Sequence, residues 1–146
     1  MLRFLVPCDG SEQALGAVDE TVRLARQLAQ PVEALLINVQ PPVPAKFLLL
    51  GQGTPSDKKE LEEPLHEAGE AVLAQARERL QRSNVTQVCR VEIGDPAATI
   101  TRVANTYHCD MIVMSTRGLN AGEGLLLGSV ANKVLHLAHT PVLLVR

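Results

Sequence analysis

Five short apolar runs, four of them followed by a stretch of helical periodicity, constrain this chain more than any other feature. The runs are LRFLVPC (2–8), VEALLINV (32–39), TQVCRVEI (86–93), MIVM from Met111, and VLLVR at the carboxy terminus. Continuous apolar runs of this length suit strands buried on both faces, and TQVCRVEI, which carries polar residues, alternates enough to read as a strand as well. Helical connections between them force parallel strands and right-handed crossovers. The reading is a single doubly wound, Rossmann-like α/β domain over residues 1–146, a five-stranded parallel sheet with helices on both faces.

The helices follow from spacing and caps. Helix 1 is expected over 11–30, because Leu15, Val18, Val22, Ala25 and Ala29 recur at three- and four-residue intervals and Pro31 stops it. Leu28 widens that stripe, while Asp19 and Arg23 fall on the solvated side. Residues 41–57, with four prolines and the run FLLL, read as an extended connection. Helix 2 is carried by Leu61, Leu65, Val72, Ala76 and Leu80, with Pro64 either kinking it or marking its first turn. Its charged opposite face reads as solvated. Gly94-Asp95-Pro96 starts helix 3, with Asp95 as cap, Pro96 in the first position, and Ala97, Ile100, Val103, Ala104 and Tyr107 on the buried face. Helix 4 places Val130, Val134 and Leu137 on one face and ends near His139-Thr140. The last strand reads as an edge, open to pairing with another chain.

Between MIVM and helix 4 lies a loop suited to an anion. Gly118, Gly122, Gly124 and Gly128 permit positive φ or close approach to the backbone, and Ser129 is placed to cap the helix. The free N–H groups and positive dipole end would then face a phosphate. Arg117 is the only cation in the loop, Lys133 lies one turn into the helix and Glu123 opposes them, so backbone N–H groups would supply much of the binding. Ligands in such sheets bind beyond the carboxyl ends of the strands where strand order reverses, which brings Asp9, after strand 1, beside this loop. Either motif alone has a plainer reading: Asp9-Gly10-Ser11 as a turn and helix cap, the glycines as a surface connection.

Composition narrows the function. With 46% hydrophobic and 21% charged residues, a formal charge of -2 and Phe4, Phe47 and Tyr107 as the only aromatics, the chain lacks a nucleic-acid footprint or a polybasic membrane patch. No segment reaches transmembrane length and no signal peptide is recognised, so a cytoplasmic protein is expected. Cys8, Cys89 and Cys109 are odd in number and far apart, consistent with reduced thiols, and Cys8 reads as a small buried hydrophobe. His66, His108, His136 and His139 lack a metal-ligand companion set.

LVPCDGSEQA resembles the opening "LVPVDGSE" strand and turn of the universal stress proteins of the UspA type. IGDPAATI resembles their "GDPAEEI" segment, and VMSTRG, LLLGSVANKVL and TPVLLVR resemble their carboxy-terminal half. The ATP-binding branch carries a glycine, two residues, a glycine, nine residues, then glycine with serine or threonine. Gly118, residues 119–127 and Gly128-Ser129 match; Ser115 stands where the first glycine would be. A serine there would crowd the backbone if φ were positive, or donate a hydrogen bond to a phosphate.

The resemblance implies a stress-response sensor or switch that binds ATP or a related adenine nucleotide, with magnesium or manganese as an accompanying cation, as a homodimer joined through the last strand. It implies that Asp9 accepts hydrogen bonds from the ribose beside Pro7 and Cys8, and that the Val39 backbone reads the adenine edge. Met114, Ser115, Arg117 and Gly118 would pass under the ribose and phosphates, with Gly128, Ser129 and Val130 holding the phosphate tail. The alternative is a nucleotide-free dimeric stress protein acting through protein contacts or phosphorylation, which rests on Ser115. A nucleotide-dependent transferase is disfavoured by the lack of a second catalytic constellation, and a phosphorelay receiver by the missing acidic pair. No general base stands over a γ-phosphate and the pattern GxxxxGK[ST] is absent, so slow hydrolysis is the most that is expected.

Overall fold

The inner strands alternate their side chains between two apolar layers, and that alternation sets the architecture. The computed structural model describes residues 1–44, 55–118 and 127–146. Its elements are β1 (Leu2–Pro7), α1 (Glu12–Gln27), β2 (Val32–Gln40), α2 (Pro55–Leu80), β3 (Thr86–Ile93), α3 (Pro96–Thr106), β4 (Met111–Ser115), α4 (Ser129–Leu137) and β5 (Val142–Val145). The five strands form one sheet in the order β3-β2-β1-β4-β5, and every neighbouring pair is parallel. This is the α/β architecture the sequence implies, with β5 at an edge.

Phe4, Val6, Ala34 and Leu36 face one side, where they meet Leu15 and Val18 of α1 and Leu73, Ala76 and Leu80 of α2. Leu5, Leu35, Ile37 and Ile112 face the other, against Ile100 and Val103 of α3 and Ala131 and Val134 of α4. Arg3 closes the amino-terminal end of the sheet through Glu33, the Tyr107 carbonyl and the Asp110 carboxylate, which accepts from the Arg3 N–H. The chain order therefore reverses between β1 and β4, with the carboxyl ends of the strands on one rim.

Several boundaries differ from those expected. Helix α1 stops at Gln27, three residues early, because Leu28 turns extended at the C-cap and donates its N–H to the Leu24 carbonyl. Leu28 is thereby exposed, and Ala29 lies outside the helix. The residue before Pro31 is biased away from α geometry, so the helix must end well short of that proline. Pro64 is neither the first turn of α2 nor near it, since the helix begins at Pro55. Leu61, expected in the core, is 44% exposed, while the central contact of α2 is Leu73, fully buried and absent from the expected stripe. Helix α4 ends at Leu137, which is exposed, so its buried face is Ala131 and Val134. The FLLL run and most of the 41–57 connection lie outside the described residues.

These placements predict opposite outcomes for two leucines of one helix. Leu73→Ala should cost about 2–5 kcal/mol of unfolding free energy, from lost burial plus an unfilled cavity. Leu61→Ala should change stability by no more than about 0.5 kcal/mol, as surface substitutions do. Urea denaturation of both variants checks the pair, and comparable losses would contradict the packing described for α2.

Candidate functional site

The switch point opens into a cleft because β1 runs out of hydrogen bonds toward β4 before it does toward β2. Along β1, Arg3 bonds toward β4, where its carbonyl accepts from the Asp110 N–H. By alternation Leu5 and Pro7 share that side. Proline has no N–H to give, and the β1–β4 register ends at Leu5↔Ile112, whereas the β1–β2 register continues to Pro7↔Ile37. The strands part at Pro7. The resulting cleft, about 690 Å³, is of the size that small-molecule sites take.

All eleven residues singled out in the sequence line this cleft: Pro7, Cys8, Asp9, Val39, Met114, Ser115, Arg117, Gly118, Gly128, Ser129 and Val130. Asp9 leads into α1 through a tight turn that Gly10 makes at φ +89. Ser11, not Asp9, caps α1, its hydroxyl accepting from the Ala14 N–H at 3.1 Å. The same hydroxyl donates to Asp9 Oδ1 at 2.6 Å, and the Ser11 N–H adds a second bond at 2.9 Å. The plain and the functional readings of Asp9-Gly10-Ser11 thus describe different atoms, the cap belonging to Ser11. Asp9 Oδ2 lies against Gly118, so close that a Cβ there would collide with it. Gly118 thus lets the Asp9 carboxylate rest on the backbone, and a side chain there would push the carboxylate aside; its φ is not positive.

Gly128 is also a close-approach glycine. It has φ -71, its N–H donates to the Thr116 carbonyl at 2.6 Å, and a Cβ would sit 3.2 Å from that oxygen. It corrects the expected cap: Gly128 is the N-cap of α4, Ser129 is the first helical residue, and no side chain caps the helix. The first intrahelical bond runs from the Asn132 N–H to the Gly128 carbonyl. Among the described residues, no internal acceptor is recorded for the N–H groups of Ser129, Val130 and Ala131, which border the cleft. Ser115 completes β4 with its backbone in register with Val145. Its φ is not positive, so the crowding that a Cβ would cause in a left-handed turn does not arise. Its hydroxyl donates to the Arg117 carbonyl at 2.6 Å and so braces the turn out of the strand. Gly122, Gly124 and Glu123 lie outside the described residues.

The other wall is apolar, and apart from Val39 and Met114 its residues were not legible from motifs. Ile37, Val39, Met114 and Ala131 meet Pro96 and Ile100 of α3 there, with Pro41 and Pro42 at the rim. Helix α3 contrasts with α4, since Asp95 accepts from the Ala98 N–H at 3.0 Å and satisfies its amino terminus. Val39 contributes backbone as well as side chain. Ile37 bonds toward β1 through Cys8 and Gln40 toward β3 through Gly94, so the Val39 N–H and C=O point toward β1 past its last residue. The cleft thus combines an apolar slot, a carboxylate and an uncapped helix terminus. Cys8 borders it while its side chain is buried in the α1–α2 layer. Among the described residues no cluster of His, Cys, Asp and Glu could hold a metal ion, and no helix is long and apolar enough to cross a membrane.

The model of the universal stress protein family matches residues 1–146. A universal stress protein of Thermus aquaticus is 36% identical over 147 residues, covering 98% of this chain and 97% of that protein. One from Methanocaldococcus jannaschii is 30% identical over 145 residues, covering 99% of this chain and 81% of that protein. Among solved structures, the universal stress protein UspA from Lactobacillus plantarum is similar in fold, with TM-score 0.76 and 24% identity over 99% of this chain and 97% of that one. A universal stress protein in complex with cAMP gives TM-score 0.70 and 23% identity, with coverage of 99% and 96%. A family protein from Arabidopsis thaliana with AMP bound gives 0.67 and 17%, with coverage of 99% and 91%.

Burial, and next to it the Asp9 carboxylate, pushes the Cys8 thiol from its ordinary 9.0 up to about 12. The folded protein binds this proton more tightly than the unfolded chain, so the associated stability is complete below pH 9 and is lost between about pH 9 and 12. Cys109, raised in the same sense, adds to the loss. Urea midpoints measured across this window should fall less steeply for Cys8→Ala than for the unaltered protein. Equal slopes would show that the thiol is not held protonated by the fold.

Proposed function

The chain belongs to the universal stress protein family, and from that premise we propose that it is a stress-response sensor or switch that binds an adenine nucleotide in the β1–β4 cleft. ATP is the ligand favoured by the glycine spacing of its carboxy-terminal half. The observation that carries the reading is the amino terminus of α4, nine residues long, capped by Gly128 without any side chain and bordering the cleft beside Asp9 and Gly118. A helix terminus left uncapped presents N–H groups and positive dipole to an anion. The family members of like fold that hold cAMP and AMP support an adenine nucleotide as the class of ligand.

The fit can be followed group by group. The phosphates would take the N–H groups of Ser129, Val130 and Ala131 and the exposed Ser129 hydroxyl, with Arg117 as a cation that lines the cleft. The adenine would lie against Val39, Ile37 and Ile100, where the outward-facing Val39 N–H and C=O can read its edge. The ribose would come between them, with Asp9 as its acceptor. Magnesium or manganese would be carried on phosphate oxygens and water, as magnesium commonly is. The nucleotide-free alternative drew its support from Ser115, and a serine in ordinary strand geometry weakens it. No catalytic residue is assigned, and the protein is proposed to be cytoplasmic, with residues 1–146 acting as one domain.

Among the described residues the edge strand β5 pairs only with β4, which leaves its other side for a second copy. We place the homodimer contact there.

Calorimetric titration with ATP, ADP and AMP should give saturable binding. Asp9→Ala and Gly128→Val should each weaken it by about tenfold or more, the loss of one well-made charge-assisted contact or of a backbone cradle. Absence of binding, or affinities unchanged by both substitutions, would defeat the nucleotide reading. Light scattering should report a dimer that Leu144→Lys converts to monomer while circular dichroism stays helical. An unaltered assembly would remove β5 from the interface.

A further inference from the structure

Asn38 interrupts the apolar run of β2, and at 3% exposure its amide must be paired inside the protein. It is paired on both ends. Nδ2 donates to the Cys8 carbonyl at 2.8 Å, and Oδ1 accepts from Gln40 Nε2 at 2.7 Å. The bond to Cys8 spans the gap between β2 and the chain just after β1 has ended, one step beyond the rung from the Cys8 N–H to the Ile37 carbonyl. Helix α2 crosses above, where a Cβ on Gly69 would stand 2.9 Å from Asn38 Oδ1. The amide is therefore confined by α2 as well as by its bonds.

The Cys8 carbonyl shares a rigid peptide plane with the Asp9 nitrogen, so whatever fixes that oxygen fixes the direction in which the chain enters Asp9. Ser11 then fixes the carboxylate, through Oδ1. We propose that Asn38 is a positioning residue that sets Asp9 for recognition of the ribose hydroxyls, an inference that rests on the nucleotide reading of the cleft. Asn38 acts through the Cys8 carbonyl, and Asp9 is the group that touches the ligand. The backbone plane of Asp9 is held from β2 and its Oδ1 from Ser11 at the cap of α1, and both restraints bear on the orientation of the carboxylate. Loss of the Asn38 amide frees the first restraint and leaves the second intact, so the carboxylate stays in the cleft but swings. Contacts that depend on its direction weaken, whereas those made by the adenine slot and the α4 terminus persist.

The experiment compares ATP with 2′,3′-dideoxy-ATP, which lacks both ribose hydroxyls, on the unaltered protein, Asn38→Ala, Asp9→Ala and the double variant. The unaltered protein should prefer ATP by about tenfold. Asn38→Ala should lose most of that preference by weakening ATP while leaving the dideoxy nucleotide nearly unchanged, and the double variant should bind ATP no more weakly than Asp9→Ala. A purely structural role for Asn38 would weaken both nucleotides in proportion and add to the effect of Asp9→Ala; either result overturns the proposal. Asn38→Thr, which puts a β-branched residue suited to a strand in place of the reaching amide, carries the same comparison where Asn38→Ala does not fold. Failure of the unaltered protein to bind ATP defeats the nucleotide reading and this inference with it. Binding without preference for ATP defeats this inference alone.

Discussion

A missing N–H shapes this molecule. Pro7 occupies the rung of β1 that would bond toward β4, and because proline donates nothing there, the two central strands separate at their carboxyl ends while β1 stays bonded to β2. In a doubly wound sheet this is also where the chain order reverses, so no crossover helix covers the gap. The cleft follows from topology and one residue type together. Its contents follow from what leaves each strand: Asp9 from β1, Val39 from β2, and the glycine loop from β4.

Two contacts then tie distant segments across the opening. The Asp9 carboxylate rests on Gly118, and the Gly128 N–H closes onto the Thr116 carbonyl, joining the two ends of the loop between β4 and α4. Neither glycine has a positive φ, and at both a side chain would crowd its neighbour: the Asp9 carboxylate at Gly118 and the Thr116 carbonyl at Gly128. The two helices that open on the cleft are treated differently. Asp95 caps the terminus of α3, whose neighbourhood is otherwise apolar, while among the described residues the first N–H groups of α4 find no side-chain cap. An amphipathic ligand with an aromatic ring at one end and an anion at the other matches that division, and this is the physical content of the nucleotide proposal.

Much of the fold was legible because its signals are local and redundant. Apolar runs marked four strands, alternation marked β3, and Asp95-Pro96 marked the start of α3. Where the expectation failed, the deciding interaction was tertiary. Leu61 and Leu73 both fit a helical stripe, and only the place where α2 crosses β2 and β3 selects Leu73. Ser129 is a better capping residue than Gly128 in isolation, yet the bond from the Gly128 N–H to Thr116 sets the turn one residue earlier, where a side chain would crowd the Thr116 carbonyl. Asn38 left a trace in the sequence, a lone amide in LLINV, but its partner is thirty residues away and appears only once β1 and β2 are paired.

The central claim is that the nucleotide lies between Asp9 and the uncapped end of α4, with its base toward Val39. Amide chemical shifts of isotopically labelled protein, followed as ATP is added, test that placement residue by residue. The account predicts shifts concentrated at Asp9, Val39, Gly118, Ser129, Val130 and Ala131, with Arg3, Glu33 and Asp110 at the opposite end of the sheet unmoved. Shifts centred on that opposite end, or no shifts at saturating ATP, would contradict it.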